Sequence, residues 1–113
     1  MNVGNAIKQI RKSQDMSQAA LSEATGITQA ALSQIENGKR PGTTTLKKIC
    51  LALQVPEALI YAMAIEREDV PPEKAIRYDA LFPVIQGLIM QVAAKDTGNT
   101  VVPEKAVKAK KSL

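Results

Sequence analysis

Gln29, Ser33, Gln34 and Asn37 recur at helical spacing along GITQAALSQIENGKRP, residues 26–41, while Ala31, Leu32 and Ile35 fall on the opposite side. Intervals of three and four residues place each set on one face of a short helix. A solvated helix face usually carries Lys and Glu, but this one offers amides and hydroxyls, groups that both donate and accept hydrogen bonds. Taken without its surroundings such a row is ordinary polar surface. Covalent chemistry has little to work with. Histidine is absent and Cys50 is the single cysteine. Zinc sites and nucleophiles activated by an imidazole base are therefore excluded. No glycine-rich phosphate loop appears, and the carboxylates form no evident inward pair. The chain is expected to be no enzyme and to carry no metal or cofactor. Cys50, between Ile49 and Leu51, is expected to be a buried, inert thiol.

The elements that must position this row can be read from local signals. Val3, Ala6, Ile7 and Ile10 share a helical face, which predicts a first helix from about Asn2 to Ser13. Gln14-Asp15-Met16 breaks the pattern. Ser17 suits the N-cap of a second helix, Gln18 to Thr25, with Leu21 and Ala24 turned inward. Gly26 is the expected left-handed residue past its end. Thr28 then caps the third helix, Gln29 to Glu36 or Asn37, and Asn37-Gly38 ends it. One of Thr43, Thr44 and Thr45 is expected to cap a fourth helix, where Leu46, Ile49, Cys50 and Leu53 share a face. Pro56 is expected in the first turn of a fifth, with Leu59, Ile60 and Met63 inward.

Bulk properties agree with packed helices. The chain has 113 residues, 45% apolar, but only two tyrosines, one phenylalanine and no tryptophan. Aliphatic side chains must fill the core, and no strand pattern or internal repeat is visible. No apolar run reaches the roughly 18–20 residues that cross a bilayer, and the N-terminus lacks a basic-then-apolar signal segment. These features predict a cytoplasmic protein with no membrane partner. Charge is uneven. Residues 1–55 hold seven Lys/Arg against three Asp/Glu, residues 56–94 three against six, and residues 95–113 five against two. The first segment can meet a polyanion, and the acidic middle one is poorly suited to it.

Residues Ser17 to Gly38 have the grammar of a helix-turn-helix. Two short helices need a tight turn, supplied at Gly26, and a small residue where they cross, supplied at Ser22. Leu21, Ile27, Leu32 and Ile35 fall where the two helices face a shared core, leaving the outer face of the third helix exposed.

The ordered set Arg11, Ser17-Gln18, Gly26, Ile27-Thr28-Gln29, Ile35-Glu36-Asn37-Gly38 and Leu46 through Val55 resembles the DNA-binding domain of phage Cro and repressor proteins and their bacterial (XRE-type) relatives. The likeness covers roughly residues 3 to 66. It implies an all-α, five-helix lambda-repressor-like domain. It also implies that Gln29 and Gln34 touch base edges in the major groove of double-stranded DNA, with Thr28, Ala30 and Ser33 beside them. A glutamine amide can pair bidentately with adenine, and a small apolar group can meet a thymine methyl. Ser17, Gln18, Asn37, Lys39 and Arg40 match positions that grip phosphates. Arg11 and Glu36 match a partly buried ion pair. Ser22 stands where the family most often has alanine and Thr25 where an aliphatic is usual, which predicts a slightly looser core.

Beyond a boundary at Glu66 to Pro72, Ile76, Leu81, Val84, Ile85, Leu88, Ile89 and Val92 form a wide apolar stripe. Pro83 either kinks one long helix there or opens a second. Such a stripe needs cover. It can fold back on the domain, hold another protein, such as a toxin, through residues 70–94, or pair two copies. Pairing through Leu81, Val84, Ile85, Leu88, Ile89 and Val92 is the preferred reading, because one short recognition helix reads few bases. The expected organisation is a helix-turn-helix DNA-binding domain over 1–68, a C-terminal helical dimerisation or partner segment over 69–94, and a flexible basic tail over 95–113. The expected role is a sequence-specific regulator of transcription, a dimeric repressor on a palindromic operator. The alternatives are a DNA-binding antitoxin, or a protein-interaction module on the same scaffold.

Overall fold

The structure, a computed structural model, describes residues 1–94; the tail expected over 95–113 lies outside them. Six α-helices follow one another: α1 (Val3–Ser13), α2 (Gln18–Thr25), α3 (Gln29–Glu36), α4 (Thr43–Leu53), α5 (Glu57–Ala64) and α6 (Ala75–Ala93). Two 3-10 turns, Arg67–Asp69 and Pro72–Lys74, join α5 to α6. There is no strand among the described residues.

Local chemistry explains most boundaries. The Asn2 side chain accepts from the Asn5 amide, Ser17 from Ala20 and Thr28 from Ala31, so three helices begin on a side-chain cap. Gly26, with φ +74°, ends α2 in the left-handed region that glycine enters without strain. Two boundaries differ from expectation. Gly42, not a threonine, is the N-cap of α4, and no side chain bonds there. Its extended backbone leaves all three hydroxyls inside the helix. Pro56 sits at the N-cap of α5 rather than in its first turn, where the absence of an N–H costs nothing.

The core is aliphatic. Ile7, Ile10, Leu21, Leu32, Ile49, Leu53 and Ile60 are its largest fully buried side chains, and Cys50 is buried among them. Burial first, and the nearby Glu57 charge second, push the Cys50 thiol pKa up, which keeps it protonated and unreactive. Ala24 is exposed, contrary to expectation, because α2 turns only Leu21 fully inward. The first helix lies so close to the end of α3 that a Cβ on Gly4 would run into the Ile35 carbonyl oxygen.

α6 is one helix with Pro83 inside it, so the proline does not open a second helix. It packs back on α1 and α5: Ala93 is buried in the core, Ile89 and Met90 are partly buried against it, and Phe82 is buried nearer the start of the helix. Tyr78 stacks on Phe82 with ring centroids 4.7 Å apart and donates from its hydroxyl to the Ile65 carbonyl oxygen at 3.1 Å. The 68/69 boundary expected between domain and C-terminal segment falls within the turn Arg67–Asp69.

Candidate nucleic-acid interface

The turn between α2 and α3 is held by hydroxyls. Thr25 donates to the Leu21 carbonyl oxygen at 2.7 Å and accepts from the Ile27 amide at 3.2 Å. Ser22 donates to the Ile27 carbonyl oxygen at 2.5 Å. Ser22 and Thr25, expected to loosen the core, are thus cross-braces of the turn. An aliphatic residue at either position could not make these bonds.

The turn presents the outer face of α3. Thr28, Gln29, Ala30 and Gln34 are exposed and Ser33 is half-buried. The hydroxyls of Ser17 and Thr28 are engaged as helix caps. Among the described residues the exposed Gln29 and Gln34 side chains make no hydrogen bond, which leaves their amides with capacity to spare. Asn37 is exposed and its amide lies 3.5 Å from the Ser33 hydroxyl, a long contact. Past it the chain folds back on α3. The Gly38 amide donates to Ile35 and the Lys39 amide to Gln34, both at 3.0 Å, with Gly38 at φ +121°. This fold-back sets Lys39 and Arg40, both exposed, beside the end of the helix.

Behind that face lies an ionic node. Arg11 and Glu36 are each only 7% exposed. Arg11 donates from Nε and Nη2 to the two Glu36 oxygens at 2.8 and 2.9 Å, and from Nη1 to the Met16 carbonyl oxygen at 2.6 Å. Gln18 donates its amide to the same carboxylate at 3.1 Å. Burial pushes the Glu36 pKa up. The Arg11 and Gln18 hydrogen bonds, with the charges of Arg11 and Lys8, outweigh it, so the carboxyl titrates below its ordinary value. Gln18, expected at phosphate, is thereby half-buried and tied inward. One proton of its amide is spoken for, and the other, with the carbonyl, is left for an outside partner.

One comparison with known proteins falls on this same stretch. The sequence model of the helix-turn-helix family matches residues 7–60. That stretch is similar to the helix-turn-helix domains of the XRE, or Cro-like, family of transcriptional regulators. An uncharacterized HTH-type transcriptional regulator of Bacillus subtilis strain 168, RghRB, is 33% identical over 72 residues, which is 62% of this chain. The chain spans about half the length, 52%, of that curated relative. No solved structure gives a significant match.

Outside the helix-turn-helix domain, α6 is apolar on two faces. One covers the core, as described. The other carries Leu81, Val84, Ile85, Leu88 and Val92, exposed by 58, 61, 46, 58 and 75%, and Ile76 stands further out at 83%. Ile89, expected among the pairing residues, instead packs inward with Met90. It lies seven residues after Phe82, on the side that the domain covers. Phe82 and Tyr78 flank the apolar stripe evident in the sequence, so the stripe alone does not reveal them. Their own spacing with Ile89 and Ala93 was the available signal. No helix among the described residues is long and apolar enough to cross a membrane.

Proposed function

We propose that the chain is a sequence-specific regulator of transcription that acts as a dimeric repressor on a palindromic operator. The observation that carries this reading is the outer face of α3. It offers Gln29, Ser33 and Gln34 and no charge, with Lys39 and Arg40 standing at its end. Charge on that face would grip or repel phosphate whatever the sequence, whereas amides discriminate among base edges. In this reading α3 enters the major groove and Gln29 and Gln34 read bases. Ala30 meets a methyl group, and Ser17, Gln18, Asn37, Lys39 and Arg40 fix register on the phosphates. Repression follows from occupancy of a promoter.

The bare face of α6 supports pairing with a second copy. Five aliphatic side chains on one uncharged stripe are self-complementary, as a two-fold interface requires. Together they form an apolar patch on the scale of the largest on a typical monomer, about 300–600 Å². Pairing doubles the bases read and separates half-sites by about 34 Å. A second reading gives the same face to a different protein, as in an antitoxin that holds a toxin. The acidic balance of residues 56–94, three Lys/Arg against six Asp/Glu, supports it.

Selection of bound fragments from random duplex DNA tests the regulator reading. We expect one enriched palindrome, lost in the Gln29→Ala plus Gln34→Ala variant. Failure of any sequence to enrich would sink it. Sedimentation tests the pairing. The full chain should be a dimer, and Val84→Lys plus Leu88→Lys a folded monomer. A wild-type monomer would favour the second reading.

A further inference from the structure

α6 is held on the domain at both ends. Near its start, Tyr78 donates to Ile65 and Phe82 is buried. At its other end the largest contacts are partial, since Ala93 is small and Ile89 and Met90 are only partly buried. There the side-chain amide of Gln14 donates to the Leu53 carbonyl oxygen at 2.7 Å and to the Ala93 carbonyl oxygen at 2.8 Å. Both acceptors lie in the last turns of their helices, α4 and α6, where carbonyls have no partner within the helix. A primary amide has two protons, and both are used.

Gln14 is itself the C-cap of α1, three residues before the Ser17 cap of α2. Its partners are 39 and 79 residues away in sequence. A residue that only capped a helix would need one nearby carbonyl. This one joins the ends of three helices at the threshold of the helix-turn-helix. Asp15 and Gln54, beside it, take positive φ values of 54° and 58°, which lets the chain turn sharply where the termini converge.

We propose that Gln14 is a positioning residue that locks the angle of α6 on the DNA-binding domain and so sets the half-site spacing the dimer accepts. This rests on the reading of α6 as the pairing helix. The lever is long. Nineteen residues at about 1.5 Å each make a helix of roughly 28 Å, so a tilt of about 10° moves one end by about 5 Å. That exceeds the rise of one base pair, about 3.4 Å. With no large buried side chain in the last turn, the Gln14 bond to Ala93, braced by its bond to Leu53 in α4, decides where that end sits.

The test uses the full chain and two variants. Gln14→Leu removes both donors, and Gln14→Glu keeps the shape but offers only acceptors, so it serves if the leucine variant fails to fold. In selection from random duplexes, wild type should enrich paired half-sites at one spacing. The variants should enrich the same half-site sequence at two or more spacings. Amide hydrogen exchange in the last turn of α6 should rise roughly tenfold or more, the size expected for losing a net hydrogen bond or two, while α3 is unchanged. A single spacing retained by the variants would overturn the role of Gln14 and leave the pairing reading standing. Isolated half-sites selected by wild type would sink the pairing reading and this proposal with it.

Discussion

Arg11 holds both oxygens of Glu36 at 2.8 and 2.9 Å, so the first helix is fastened to the last residue of α3 by a bidentate ion pair. The Glu36 side chain is 2% exposed, and breaking such a pair strands the surviving charge in a site that water barely reaches. Arg11→Met or Glu36→Gln should therefore cost about 3–5 kcal/mol, a fall in Tm of roughly 15–30 °C. Calorimetry measures it directly. A loss under about 1 kcal/mol would mean that the pair behaves as a surface one.

The same carboxyl makes stability depend on acid. Its folded pKa lies below its ordinary value of 4.5, so the folded state binds its proton less readily than the unfolded chain does. The stabilisation is complete above about pH 4.5 and is lost as pH falls through the lower folded value. Urea unfolding between pH 7 and 3 should show wild type losing its advantage over Glu36→Gln only at the acid end. A difference that held constant across that range would contradict the linkage.

Lys39 and Gln34 should separate positioning from reading. Lys39→Ala is expected to weaken binding about equally on all sequences and to lower the salt slope by roughly one unit. Gln34→Ala should leave that slope alone and cost about 1–3 kcal/mol on the preferred base pair. Titrations at several salt concentrations on matched and mismatched duplexes decide it. A change in base preference with Lys39→Ala would reverse the assignment.

Two glycines should respond with opposite signs. A methyl group on Gly4 would press on the Ile35 carbonyl oxygen, which is backbone and cannot swing away. Gly4→Ala should destabilise by about 1–3 kcal/mol as α1 is pushed off α3. Gly87, exposed within α6 and with nothing within 4 Å of an added Cβ, should gain about 0.5–1 kcal/mol as alanine. Denaturant midpoints of the two variants moving in the same direction would contradict this account.

What could be read ahead of the structure was local. Ser17, Gly26 and Thr28 act within three or four residues of themselves, so the boundaries of α2 and α3 were legible. The start of α4 was not, because three adjacent threonines are equivalent candidates and the backbone at Gly42 took the cap instead. Ala24 was placed inward because alanine fits either side of a helix. The C-terminal stripe had a deeper ambiguity. α6 carries two apolar faces, and periodicity alone does not say which one folds back, so it separates neither Ile89 from the exposed stripe nor Phe82 from the surface. Gln14 and Gly4 gave no signal at all, since what defines them is a carbonyl far away in sequence. For the candidate interface, residue types mark the outer face of α3, whereas the pull of Glu36 on Gln18 spans 18 residues and no local pattern encodes it.

The hydroxyl braces of Ser22 and Thr25 have a mechanical consequence. Packing alone lets two helices slide and pivot, but directional bonds from α2 to Ile27, in the three-residue turn of residues 26–28, resist rotation. α2 and α3 therefore move as one plate. Any adjustment when the domain meets a curved duplex must be absorbed elsewhere, in the fold-back at Gly38 or in the seat of the plate against α1. The outer face of α3 is stiff, and its mounting is where the molecule can yield.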